Sequence, residues 1–483
     1  MTDANHPKTT DKSQSLEPEH NSRPDAAEII ANHLARVKYA HLPVPVVDAA
    51  KASILDTLGC LLAGTACEDV IAITSLVEKW GGQPSSTIIG YGGLKVPPAN
   101  AVLANGAAIH QYDFDDVHDR APCHPTSTTL VPALAVAEET GRISGKELIT
   151  AVSLGNDLTV RVSMAINGTI HDHPWFRAPV VGLFGATAAS AKILGADAGQ
   201  HLNALGLALP QVGGTWASLH HGGSSIRSIR DGLAYRNGVL AAELAVRGIR
   251  GDREVFDGPY GFYKAFFRGE YNRGELVDEL GKRYETARVS LKPWPSIRHL
   301  HTTLTAVLGI MEKHSLAFDD VAEVTLSLGK INLDRCRPVA LGSVPANHID
   351  LLNNMHFAVA AAIRHRNVPL SLYRDSALAD DVVITAMPKV RWHYDSSQDG
   401  PWTFEPGRVE ILTTKGERHN AECQIALGHP DNPMTVEQRR AKFISCAAAA
   451  ARPVPKARAL DIVNMVMRLE DVDDIASLMK LLA

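Results

Sequence analysis

The segment VPVVDAAKASILDTLGCLLAGT, Val44 to Thr65, is apolar around almost its whole circumference. A helix of that kind cannot lie on a surface and must be surrounded by other elements. Neighbouring segments share its texture. NAVLANGAAIHQ, STTLVPALAVAEETG, GKELITAVSLGNDLTVRVSMAI, GLFGATAASAKILGA, AGQHLNALGLALPQ and RNGVLAAELAVRG are rich in small residues that let helices approach closely. Many of them end at Gly, which tolerates the left-handed C-cap. DAAEIIANHLARV sets Ile29, Ile30, His33, Leu34 and Val37 at helical spacing behind an Asp25 cap. Residues 25–288 therefore predict a close-packed helical domain.

The texture changes after residue 288. VAEVTLSLG alternates, with Val324, Leu326 and Leu328 on one face and Glu323, Thr325 and Ser327 on the other, which predicts a half-buried strand. RVEILTTKGERHNAECQIALG reads as two strands around a Lys415-Gly416 turn, and DVVITAMPKVRWHYD holds another. NNMHFAVAAAIRHR reads as a helix between them. Residues 289–430 thus predict a smaller α+β domain, and 431–483 return to helix. The expected fold is mostly α: a large all-helical domain with an inserted α+β lid domain. The length of 483 residues agrees, because single cores stop growing at about 250–300 residues. Residues 1–24 are polar and aperiodic and predict a disordered tail without the apolar core of a signal peptide.

Several classes of function drop out. A net charge of −5 gives no reason to expect nucleic acid or an anionic membrane as partner. No run of about 18 apolar residues predicts a membrane span. The six cysteines are scattered, with no CxxC pair, which excludes a zinc ribbon or disulfide framework and suggests a reducing cytoplasm.

Four stretches concentrate chemistry. YDFDDVHDRAPCHPTS, Tyr112 to Ser127, holds four aspartates and two histidines between two bland helical segments. Asp113 falls at a helix end. His124 precedes a helix for which Thr126 or Ser127 is a candidate N-cap, and the positive helix end favours its neutral imidazole. HDHPWFRAPVVG carries an HxH pair, His171 and His173, followed by Trp175, Phe176 and Arg177. SLHHGGSSIRSIRDGLAYRNG brings Arg227 and Arg230 to a helix start, where guanidinium forks suit carboxylates. SLKPWPSIRHLHTTL places Lys292, Arg298, His299 and His301 at the proposed domain junction. Residues two apart face different ways, so only one of the two histidines is expected to face a given site. With no nucleophile elbow, P-loop or GxGxxG, this inventory suits proton transfer beside a carboxylate. Asp115, Asp116 and Asp119 also spell DDxxD, the pattern that holds Mg²⁺ and diphosphate in terpenoid synthases. A non-catalytic polyacid-binding protein is the remaining alternative.

In these stretches the chain resembles the MmgE/PrpD family. The resemblance rests on DFDDVH…HP (Asp113 to Pro125), GLAYRNGVLAAELAVRG, KPWPSIRHLH and GHPDNPMTVEQRRAKF. It implies a cofactor-free and metal-free lyase for a small di- or tricarboxylate, with the site between the two domains of a homodimer. It implies Asp113, His124 and His301 as catalytic positions; Arg227, Lys292, Arg298, Phe176 and Arg177 are the candidate substrate-binding residues beside them. Dehydration of the 2-methylcitrate type is the leading expectation, with cis-aconitate-type decarboxylation or iminodisuccinate-type epimerisation as alternatives. Two departures stand out: Arg227 replaces a lysine of the decarboxylases, and Phe176 replaces a histidine.

Overall fold

The structure, a computed structural model, describes residues 23–168, 172–219, 225–336, 351–374, 381–400 and 403–483. The protein is mostly α. Its first part runs through α1 (Ala26–Arg36), α2 (Val44–Gly64), α3 (Glu68–Trp80), α4 (Pro98–Ile109) and α5 (Pro125–Thr140). It continues with α6 (Gly145–Met164), α7 (Arg177–Ile193), α8 (Ala198–Ala208) and α9 (Ile226–Val246). Asp25 caps α1 as its sequence predicts, accepting from the Ala27 N–H at 2.8 Å. In α2 every residue from Ala50 to Gly64 is buried, as its all-round apolarity requires.

Small residues set the distances between these helices. Gly106 of α4 and Gly232 of α9 lie against each other, and a Cβ added at Gly106 would fall 2.8 Å from the Gly232 Cα. Only glycine allows that approach. The crossing brings the start of α9 close to the end of α4, where the candidate residues cluster.

The later part holds a four-stranded sheet ordered Val390–Tyr394, Val321–Leu328, Gly407–Thr413, Arg418–Cys423. The first pair is parallel and the other two are antiparallel. Val324, Leu326 and Leu328 are buried and the residues between them half-buried, as the alternation predicts. Helix His301–Lys313 packs across the last two strands, and helix Met355–His365 packs beside it. Helix Val436–Ala448 then returns to pack on α2. Its N-cap Thr435 and Gln438 satisfy each other's backbone N–H groups in a capping box. The expected tail lies almost wholly outside the described residues. No single helix among the described residues is long and apolar enough to cross a membrane.

Candidate active site

A cavity of about 310 Å³ opens where α4, the loop 110–124, α9 and the segment 292–299 meet. Asp113 is its electrostatic centre. It follows the end of α4 with φ +45°, a left-handed conformation that aspartate tolerates better than most side chains. Its carboxylate accepts hydrogen bonds from both Arg227 and Lys292. Lys292 also donates to the Asp113 carbonyl at 2.7 Å. Burial opposes the Asp113 charge, but Lys292 and Arg227 more than offset it and hold the pKa far below the ordinary carboxylate value.

The remaining aspartates of the loop face different partners. Asp115 is fully buried and accepts from His110 Nδ1 at 3.0 Å and Ser127 Oγ at 2.6 Å, with His124 Nδ1 at 3.2 Å. Asp116 accepts from the Thr126 backbone N–H at 3.1 Å, which caps α5. Burial, with Asp115 and Asp56 nearby, raises the Asp116 pKa to about 7. Asp119 grips Arg298 with two bonds, at 2.8 and 3.1 Å. These divided allegiances remove the DDxxD reading, since the three carboxylates share no point at which a cation could sit. His118 turns to Glu285 at 3.3 Å.

His124, not Thr126 or Ser127, is the N-cap residue of α5. Its Nδ1–H donates to the Asp116 carbonyl at 2.7 Å, which fixes the tautomer when the ring is neutral. The His124 pKa moves against the direction a helix end would give, for a local reason. Burial disfavours the imidazolium, but the Asp115 carboxylate outweighs it, and the His124 pKa is raised. His110, edge-on to His124 at 4.5 Å, goes the other way: burial lowers its pKa despite the same Asp115. His110, Asp115 and His124 have metal-ligating side chains within 4.8 Å of one another. Asp115 receives the His110 Nδ1–H and lies 3.2 Å from His124 Nδ1, whose proton goes to the Asp116 carbonyl, so hydrogen bonding and charge pairing account for the cluster.

Two connections hold the segment that carries Lys292. Val117–His118 pairs antiparallel with Val289–Ser290, tying it to the loop. The Leu291 N–H donates to the Gly428 carbonyl at 2.9 Å. Gly428 (φ +92°) sits so close that a Cβ there would fall 1.8 Å from the Leu291 oxygen. A third hold comes from Lys442 on helix Val436–Ala448. Its ammonium pairs with Asp56 at 2.7 Å and donates to the carbonyls of Phe114 and Lys292 at 2.7 and 2.9 Å.

The cavity lining includes Asp113, His124, Phe176, Arg177, Arg227 and Lys292, together with Arg298. His301 is the exception among the expected residues. It is 0% exposed, pairs with Ser296 Oγ at 3.1 Å, and lies behind the lining. Burial first, then Arg298 and Lys292, push its pKa well down, so it is neutral. His299 takes the lining position instead, edge-on to Phe404. Of the HxH pair, His171 lies outside the described residues, and His173 packs on Phe267 and reaches the Asn167 carbonyl at 3.3 Å. The sequence reading also missed His110, Trp216, Arg335 and Lys442. His110 had a signal, being three residues before Asp113. Lys442 had none, because its partners are 386 and 328 residues away.

Fold and cavity define a class: a helix-rich protein with a buried pocket in which imidazoles and clustered cations meet, a setting suited to proton transfer beside a small anion. The chain belongs to the MmgE/PrpD family. Residues 28–274 match the MmgE/PrpD N-terminal domain and residues 294–468 the MmgE/PrpD C-terminal domain. It is 26% identical over 473 residues to a cis-aconitate decarboxylase-like protein of Aspergillus oryzae, covering 94% of this chain and 96% of that one. Human cis-aconitate decarboxylase is 25% identical, with 94% of each chain covered. The cis-aconitate decarboxylase of Aspergillus terreus is 26% identical, with 91% of this chain and 92% of that one covered.

Proposed function

We propose that the protein is a lyase for a small carboxylate and that decarboxylation is its leading reaction. The observation that carries this reading is His124: a tautomer-fixed imidazole with a raised pKa, in one cavity with the Arg227–Lys292–Asp113 cluster. The names of the relatives point the same way. As CO₂ departs, the electron pair of the broken bond stays on carbon and spreads toward a remaining carboxylate. Arg227 and Lys292 stabilise that charge, and His124 delivers the proton to carbon. Asp113, so firmly held as an anion, is a weak base, and its part is to fix the two cations. His301 supports the wall from behind.

Dehydration, the leading expectation from sequence, stays as the second reading because of one feature. His110 and His124 share Asp115 but have pKa values displaced in opposite directions, which is how one site holds a base and an acid together. The residues 289–430 are proposed to act as an inserted α+β lid over helical parts 25–288 and 431–483, supported by the return of helix Val436–Ala448 to α2. A homodimer is proposed from the resemblance. Exposed Ile226, Leu233 and Leu240, seven residues apart on α9, give it an apolar stripe, and light scattering tests it.

The deciding experiment incubates the protein with cis-aconitate, citrate, 2-methylcitrate and smaller dicarboxylates in D₂O, with and without EDTA, and follows products by NMR. CO₂ loss with one deuterium placed on carbon supports the leading reading. Water loss or gain moves it to the second. Turnover that needs added Mg²⁺ would sink both.

A further inference from the structure

Part of the cavity lining takes no part in charge or proton chemistry. Phe176, Trp216, Phe404, Ile297 and Pro122 form it. Its rings are held in place without any ligand. Phe176 and Trp216 meet edge to face with centroids 5.0 Å apart. The Arg230 guanidinium lies 3.8 Å from the Phe176 ring centroid, and that of Arg335 lies 4.7 Å from the Trp216 ring centroid. Phe404 sits edge-on to His299 at 4.9 Å. Rings fixed in advance offer apolar surface that loses little entropy when it is covered.

The charges of the cavity set a second condition. Arg298 is compensated by Asp119, and Arg335 by Asp334 beside it. Asp113 is shared by Arg227 and Lys292, which leaves one positive charge on that cluster. Arg177 adds N–H donors to the lining, with Asp172 close enough to temper its charge: its one hydrogen bond among the described residues goes to the Gly168 carbonyl at 3.0 Å. Two carboxylates would therefore find partners. A third would be desolvated against apolar ring surface.

We infer that the substrate is a dicarboxylate bearing an alkyl or aryl substituent, with its carboxylates at Arg177 and the Arg227–Lys292 pair and the substituent against Phe176, Trp216 and Phe404. This rests on the carboxylate-lyase reading and narrows it. Phe176 then acquires a purpose: it supplies apolar contact where an imidazole would invite a polar group.

Calorimetric titration of the full-length protein tests this with unreactive probes: succinate, its 2-methyl, 2-propyl and 2-phenyl derivatives, and tricarballylate. Succinate binds weakly, and Arg177→Met weakens it further. Each added methylene tightens binding about three- to fourfold, and 2-propylsuccinate binds better than tricarballylate. Trp216→Ala cuts the gain per methylene below twofold. The wild-type series decides by itself should that variant fail to fold. A flat series with Arg177-dependent succinate binding overturns the substituent and leaves the carboxylate reading standing. Tricarballylate binding tighter than every substituted succinate does the same. Failure of every probe to bind overturns the carboxylate reading and this inference together.

Discussion

Lys442→Met should be among the most damaging single changes away from the cavity lining. The Lys442 and Asp56 side chains are 3% and 2% exposed and 2.7 Å apart. Removing the ammonium leaves the Asp56 carboxylate buried without its cation, and leaves the Phe114 and Lys292 carbonyls without that donor. Breaking such a pair costs about 3–5 kcal/mol, chiefly through the stranded charge. For a chain of this length that corresponds to a fall of roughly 3–5 °C in Tm, read by differential scanning calorimetry at pH 7. The double variant Asp56→Asn/Lys442→Met strands no charge. It should recover most of the loss, short of about 1–2 kcal/mol for the two carbonyls. Asp56→Asn alone should cost less than Lys442→Met, because the ammonium keeps both carbonyl acceptors. The reasoning fails if Lys442→Met melts within 1–2 °C of wild type on the scale just given. It also fails if the double variant is no more stable than Lys442→Met.

Three further outcomes follow from the same geometry. If His124 is the proton donor, turnover falls as pH rises through its raised pKa; Asp115→Asn removes the carboxylate that raises it, so the alkaline limb of kcat should move to lower pH, and a limb that stays put refutes the role. Asp116, with a folded pKa of about 7 against 3.8 ordinarily, holds a proton between those values that the unfolded chain releases. Stability should therefore decline as pH rises across that window; Asp116→Asn should flatten the decline in urea titrations at several pH values, once the Asp115, Asp56 and His124 titrations around it are fitted with it. Gly232→Ala drives a methyl to 2.6 Å from the Leu103 oxygen and should cost about 1–3 kcal/mol in thermal unfolding, with weaker succinate binding because Arg227 shifts with α9.

Much of the fold was legible because it rests on local pattern. The all-round apolarity of α2 required burial, and the alternation Val324, Leu326, Leu328 required a strand with one face inward. The cavity was legible as a set of stretches, since loops that join helix ends must bring ionisable residues somewhere. What stayed hidden was direction. Whether His299 or His301 faces the cavity depends on the angle at which the helix starting at His301 docks on the sheet, and no spacing rule encodes that. The direction of the His124 pKa shift was hidden because the helix end was visible in sequence, while the approach of Asp115 to within 3.2 Å was not. Lys442 shows the same limit at longer range.

The loop that opens the site divides four carboxylates among four tasks, and that division bears on which reaction the site can run. Asp113 fixes two cations, Asp115 biases two imidazoles, Asp116 caps α5, and Asp119 restrains Arg298. None of the four is left as an ordinary base. Arg227 barely deprotonates at any working pH, so it adds field but no proton traffic. Phe176 adds neither. Each departure that the resemblance implies therefore removes a proton carrier and leaves the electrostatic frame intact. A reaction that needs one proton delivered to carbon and one developing anion stabilised survives that loss through His124 alone. A dehydration needs His110 as well, as base. His110→Gln separates the two: it should spare decarboxylation within about tenfold and abolish dehydration, a loss of the 10²–10⁴-fold that a general base supplies. Equal loss of both activities would mean that His110 serves only to hold Asp115, and the two-imidazole argument would fall.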